Sequence, residues 1–341
     1  MITTTTRQSI VQALRDGLAD EMSRDPNVFC MGEDIGIPGG WGGVFTVTLG
    51  LENEFRSQLL DTPISELGYF GVAVGAAIMG MRPVVDVQYG DFMFLAMDQI
   101  VNQAAKMRYM SGGKAKVPMV VRAPVGATGR GAQHAQNLER FFVGVPGLKV
   151  VCPATAYDAK GLLKSAIRDD NPVIMFEHKL LYGSKGLGQA SGAVDASSDI
   201  PLEDYTVPIG KGIVRRPGSD VTIIATLLMM HVAMNAAEEL QAEGVSAEVI
   251  DPRSLSPFDW ELVEESLMKT TRAVIVEEGP KTGGWGAEIA ASLGSKMSEY
   301  LTAPVTRVAS PDIPVPFSPK LEERYRPNRA DIRRAVLKLV D

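Results

Sequence analysis

Several residue types that would point to common functions are scarce in this sequence. Of its 341 residues only two are cysteine, Cys30 and Cys152, isolated and far apart. They form no CxxC redox pair, and buried free thiols in a reducing compartment are the expected state. Histidine is nearly as rare, and His134, His178 and His231 lack the paired spacing of a zinc site. No apolar run approaches the ~20 residues that span a bilayer, and "MITTTTRQSI" puts no basic segment ahead of an apolar one. A cytoplasmic protein with no membrane attachment is expected. Positive charge is also short: 34 Lys and Arg face 41 Asp and Glu, a net charge of −7 with both signs interspersed. That argues against nucleic acid, because phosphate binding needs clustered cations. GxxxxGK[ST] is absent, which removes a P-loop.

What is present is an ordinary globular composition, 45% hydrophobic and 22% charged, at a length that suggests about two domains. Short β-branched runs alternate with segments of helical period. "NVFCMGED", "RPVVDVQY", "VPMVVRAP", "LKVVCPA" and "NPVIMFEH" read as strands. "QSIVQALRDGLADEMSRDP", "GYFGVAVGAAIMG", "FLAMDQIVNQAAKMRYMSGG" and "AYDAKGLLKSAIRDD" read as helices. A stretch rich in Gly, Ser, Ala and Asp follows, and beyond it the alternation restarts from "DVTIIATL" to "RADIRRAVLKLV". The fold expected is α/β in two domains with mostly parallel sheets, at 1–185 and 208–341, with a linker at 186–207.

Two stretches hold candidate chemistry. Glu66, in "LLDTPISELGYFGVAVGAAIMG", is the last charge before Arg82 and opens an apolar segment. A carboxylate complementing the helix dipole is one reading of it. His134 lies in the Gly-rich loop "GATGRGAQHAQNLE" after a strand, where open α/β sheets bind ligands and where a histidine can exchange protons. The small residues around Gly71 and Gly75 allow close backbone approach, in a core or across a subunit interface. A nicotinamide site is disfavoured: Gly284 and Gly286 supply two glycines of the fingerprint, but the third position is Ile289. A helix N-terminal turn is the better reading of that cluster.

Taken in order, "MGEDIG", "WGGVFTVTLGL", "LLDTPISELGYFGVAVGAAIMGMRPV", "DQIVNQAAKMRYMSGG", "AQHAQ", "PGLKVVCPATAYDAKGLLKSAIRDDNPVIMFEHKLLY" and "PVPFSPKLEERYRP" resemble a known family. It is the β subunit of the thiamine-diphosphate-dependent E1 component of 2-oxo acid dehydrogenase complexes, in wording nearest to acetoin dehydrogenase and next to pyruvate dehydrogenase. The resemblance covers nearly the whole chain. It implies a pyrimidine-binding domain followed by a transketolase C-terminal-like domain, and an α2β2 heterotetramer whose α subunit holds the diphosphate and Mg²⁺. The GDG…NN motif for that task is missing, since Phe92 follows Gly90 and Asp91.

The same resemblance implies roles for individual residues. Glu66 corresponds to the glutamate that hydrogen-bonds the aminopyrimidine N1′, which asks for dry surroundings. Ile64 corresponds to an apolar neighbour of that ring, Gln88 to a contact on its polar edge, and Phe92 to an aromatic stacked on its face. Glu33 matches an acid of a polar tunnel, and His134 a histidine near the reacting carbon. "AIRDDNP" resembles a potassium loop with oxygens from Ala166, Asp169 and Asn171, a plain helix end being the alternative. The expected activity is carbon–carbon cleavage of a small molecule, acetoin or a 2-oxo acid, with reductive acylation of the lipoyl group of an E2 protein. A non-catalytic, architectural β subunit is the rival of another class.

Overall fold

The structure, a computed structural model, describes residues 4–183 and 193–340. The chain divides into two compact units: 1–125 with 141–209, and 126–140 with 210–341.

In the first unit, β1 (Thr5–Gln8) leads into α1 (Ile10–Arg24), then β2 (Val28–Gly32), β3 (Leu59–Asp61) and α2 (Glu66–Ile78). β4 (Arg82–Asp86), α3 (Ala105–Met110) and β5 (Val120–Val125) follow, then β6 (Lys149–Val151), α4 (Ala156–Arg168), β7 (Val173–His178) and β8 (Ser198–Pro201). The strand order is β6-β7-β5-β4-β2-β3, every neighbouring pair parallel. β2, β5 and β7 are buried throughout, which is why they read as continuous apolar runs rather than alternating ones.

Local chemistry sets the helix limits. Ser9 and Gln12 form a capping box at the start of α1, and Thr155 accepts the Asp158 N–H at the start of α4. Close packing beside α4 is also specified: a Cβ on Gly161 would stand 2.5 Å from Val207 Cγ2.

Two sequence expectations change here. The single helix foreseen over 94–113 is divided into a 3-10 turn at Gly90–Ala96, a π-helical stretch at Asp98–Ala104 and α3. The tight first turn buries Asp91, Met93 and Ala96 and leaves Phe92 half-buried, an arrangement a continuous α-helix would not keep. Within the stretch read as linker, 186–192 lie outside the described residues, but Ser198–Pro201 form β8, paired antiparallel with β1. The free edge of β1 supplies the backbone partners, so no apolar periodicity announces this strand.

The second unit comprises β9 (Ile213–Arg216), β10 (Val221–Ala225), α5 (Leu227–Ala242), β11 (Ala247–Asp251), β12 (Ser254–Ser256) and α6 (Trp260–Thr270). It continues through β13 (Ala273–Pro280), α7 (Trp285–Lys296), β14 (Thr306–Ser310), α8 (Pro319–Tyr325) and α9 (Arg329–Val340). Its sheet runs β14-β13-β10-β11-β9, parallel except for β9 against β11. Gly284 caps α7, and the Glu277 carboxylate accepts the Gly286 N–H at 3.0 Å. With an acid already at that helix start, a dinucleotide pyrophosphate would meet like charge, as the reading of a simple helical turn requires.

Candidate functional site

Three neighbouring strands of the first unit, β4, β2 and β3, are followed at their carboxyl ends by Gln88, Glu33 and, at the start of α2, Glu66 respectively. Their parallel alignment puts all three positions at the carboxyl edge of the sheet, where a switch between elements opens a crevice. Glu33 directly follows Gly32, the last residue of β2. A Cβ at Gly32 would lie 2.4 Å from the Asp86 carbonyl oxygen, so glycine is what lets β2 and β4 close up beneath the site.

Glu66 is the first residue of α2 and is only 5% exposed. Among the described residues no hydrogen bond or ion pair engages its carboxylate. A carboxylate this buried and unpartnered is costly unless a donor from another molecule completes it. Glu33, 6% exposed, stands in the same field. Burial, then the charges of Glu66 and Asp34, push its carboxyl up from 4.5 to about 6. Tyr69, one helical turn after Glu66, is buried as well. Burial and the charges of Glu33, Glu66 and Asp86 keep its phenol protonated well past the ordinary range.

Aromatic rings from segments that follow β2, β4 and β7 pack into a wall at the same carboxyl edge of the sheet. Phe92 meets Tyr89 edge-on at 5.8 Å, Tyr89 meets Phe45 at 5.7 Å, and Phe45 meets Tyr182 at 5.1 Å. The Lys179 ammonium lies 5.1 Å from the Tyr89 ring centre. Ile64 is 85% exposed, and the outer face of α2 adds exposed Leu67 and Val72 beside Gly71 and Gly75. The Gln99 side chain lies 3.7 Å from the Cβ position of Gly71, while Leu67, Val72 and Gly75 stay exposed among the described residues.

Beneath the wall is a buried ion network that the sequence reading missed. Arg122 donates to both oxygens of Glu177, at 2.9 and 2.7 Å, and also to Asp86, while the Tyr182 hydroxyl donates to Glu177 at 2.8 Å. Burial opposes the Arg122 charge, but Glu177 and Asp86 outweigh it and hold the guanidinium protonated. Burial raises the Asp86 carboxyl, offset in part by Arg122. A signal existed: β5 and β7 each have one charge in an apolar run, Asp86 ends the adjacent β4, and charges on adjacent central strands have to pair.

His134 is in the second unit, in the segment 126–140, half-buried, with its N–H donating to the Gly131 carbonyl at 3.4 Å. The segment is held by carboxylates of its own unit. Glu278 accepts the Ala127 N–H at 2.8 Å, and Glu322 accepts the Gly129 N–H. Nearby Glu139 is buried, which with the charges of Glu278 and Glu277 lifts its carboxyl to about 8 despite its hydrogen bonds.

At the end of α4, the Ala166 carbonyl accepts from Asp169 N–H at 3.3 Å and the Asp169 carbonyl from Arg82 at 3.0 Å. The Asn171 amide oxygen accepts from Arg108 at 2.7 Å, and Lys149 pairs with the Asp169 carboxylate. Arg82 and Lys149 therefore already supply positive charge to this turn.

A buried acid with no partner among the described residues suits a ring nitrogen donor, and comparisons with known proteins place the chain in a family. Residues 7–185 match the family model for the transketolase pyrimidine binding domain, and 210–332 that for the transketolase C-terminal domain. The chain is 46% identical to the β subunit of acetoin:2,6-dichlorophenolindophenol oxidoreductase of Cupriavidus necator, over 97% of this chain and 96% of the relative. The chain belongs to the E1 β-subunit family of 2-oxo acid and acetoin dehydrogenases. Within that E1 β family it is 41% identical to a 2-oxoisovalerate dehydrogenase β subunit of Bacillus subtilis, covering 98% of both chains. It is 45% identical to a pyruvate dehydrogenase E1 β subunit of Gracilaria tenuistipitata var. liui, covering 91% of this chain and 92% of that one. A solved structure titled "Split gene transketolase, inactive beta4 tetramer" superposes with a TM-score of 0.76 at 26% identity, covering 97% and 98% of the two chains. E1 β chains are subunits of thiamine-diphosphate-dependent enzymes, and the orphaned Glu66 carboxylate fits that cofactor's aminopyrimidine.

Proposed function

We propose that this chain, with an α subunit in an α2β2 assembly, cleaves the carbon–carbon bond beside a carbonyl, in acetoin by preference and in pyruvate as the next choice. The two-carbon product passes to the lipoyl group of an E2 protein. The observation that supports this is the Glu66 carboxylate, buried at a helix start with no partner among the described residues.

When bound, thiamine diphosphate supplies the electron sink that the cleavage needs. Glu66 accepts a hydrogen bond from the pyrimidine N1′ and so favours protonation there. Phe92 offers its ring face, Gln88 meets the polar edge, and Ile64 adds apolar cover. The diphosphate end and Mg²⁺ fall to the α subunit. Glu33, with a proton affinity near neutrality, holds or passes a proton beside Glu66. His134 positions substrate or the incoming lipoyl group and exchanges protons with it. The exposed Leu67, Val72 and Gly75 of α2 suit a subunit seated over that helix. Such a subunit would also complete the water exclusion that strengthens the Glu66 contact.

A potassium ion on the carbonyls of Ala166 and Asp169 and on Asn171 belongs to the same proposal. Each carbonyl keeps a second lone pair beyond its present donor, and a rise of Tm in potassium over sodium is its check.

The test is co-expression with an α-type chain, followed by turnover of acetoin, pyruvate and branched-chain 2-oxo acids with an artificial electron acceptor. Acetoin is expected to be the best substrate, and Glu66→Gln to lower kcat at least a hundredfold. No turnover of any substrate in an assembly loaded with thiamine diphosphate, or full turnover by Glu66→Gln, rejects the proposal; the latter result favours an architectural β subunit.

A further inference from the structure

We propose that Glu322 is the positioning residue for the loop that carries His134, an inference that rests on the role given to His134 above. Glu322 is 4% exposed, on α8, far downstream of the loop in sequence. Its two carboxylate oxygens lie 2.8 and 2.6 Å from the Gly129 nitrogen, whose N–H they share. Gly129 has φ +73°, a left-handed conformation that leaves its N–H without a regular secondary-structure partner. An ionised acceptor makes a bond roughly twice as strong as a neutral one, so this contact pins the backbone at one point.

The surroundings act in the same direction. Ala127, two residues earlier, is held by Glu278 through its own N–H at 2.8 Å. Ala127 and Ala135, on either side of the histidine turn, pack in one buried cluster with Val315 and Tyr325. Gly131, at φ +75°, leaves just enough room for Phe317, whose ring would be 3.2 Å from an added Cβ. Thus the segment 315–325 is the bed on which the loop lies, and Glu322 is a charged residue in that bed bonded directly to the loop backbone. A carboxylate in the first turn of a helix would ordinarily face solvent and complement the dipole. This one is buried and is aimed at another segment.

Misplacing a proton-exchanging group by about 1 Å costs on the order of a hundredfold in rate. In the assembled enzyme, Glu322→Ala is expected to lower kcat ten- to a hundredfold with KM changed less than threefold. Glu322→Gln, which keeps one acceptor oxygen, is expected to recover most of the loss. The deciding measurement is a double-mutant cycle with His134→Ala. If Glu322 acts through the histidine, Glu322→Ala adds nothing once His134 is gone. Hydrogen exchange at the Gly129 amide gives a readout independent of turnover: protection falls at least tenfold in Glu322→Ala and is unchanged in His134→Ala. Equal losses from Glu322→Ala with and without His134, full activity of Glu322→Ala, or unchanged Gly129 protection each overturn the inference. Full activity of His134→Ala alone rejects the reading of the histidine instead, and the exchange result then shows separately whether Glu322 holds the loop.

Discussion

Glu33 and Glu66 share one buried field, so that the charge of Glu66 raises the proton affinity of Glu33. Burial is the larger cause and the neighbouring charge the smaller. Carboxyl carbon NMR of the chain should therefore show Glu33 titrating at about 6. Glu66→Gln should move that midpoint down only part of the way to 4.5, since burial remains. Folding raises this acid's proton affinity, so the native chain binds the proton more tightly than the unfolded one. Its contribution to stability is most favourable below 4.5, declines as pH rises towards 6, and is not regained above that. Glu33→Gln should flatten the decline in a urea series across that range.

The Arg122 network predicts an asymmetric response to substitution. Arg122→Met leaves Asp86 and Glu177 buried without their cation and should cost about 3–5 kcal/mol in urea unfolding. Replacing Asp86, Arg122 and Glu177 together by apolar residues of similar volume should cost far less, because no orphan charge remains. A triple variant as unstable as the single one would show that the network contributes more than charge compensation.

Phe92 and Tyr89 test the aromatic wall. Phe92→Ala should weaken thiamine diphosphate binding by the assembled enzyme about fivefold, the equivalent of about 1 kcal/mol of ring stacking. Phe92→Tyr should bind normally. Calorimetric titration of the two variants separates them, and equal affinities would remove Phe92 from the site.

Cys30 should be inert in the folded protein. Burial pushes its thiol up to about 12, with Arg122 lowering it and Asp86 raising it to smaller extents. An aromatic disulfide reagent at pH 8 should label it only after denaturant is added. Fast labelling in native buffer would mean that the strand bearing it opens locally.

Much of this was legible in the sequence because parallel strands buried on both faces leave continuous apolar runs, as in "VFCMG" and "VIMFEH". Glu66 and Phe92 stand out as candidates because the resemblance is carried by long contiguous motifs. The strand at Ser198–Pro201 could not, since its pairing with Thr5–Gln8 spans most of the first unit and neither segment has an alternating pattern. Nor could the part played by Glu322. A carboxylate in the first turn of a short helix has an adequate local explanation, and only the folded chain brings Gly129 to it. In the sequence His134 is a loop residue following β5, and the fold assigns that loop to the second unit.

That last assignment bears on how the protein is handled. Because 126–140 joins the second unit while β6, β7 and α4 return to the first, the polypeptide passes between the units three times. A fragment beginning at Gly210 would lack the stretch that sits on Val315 and Tyr325 and would expose an apolar scar. Dissecting the two halves therefore calls for a permuted or spliced gene rather than a simple truncation.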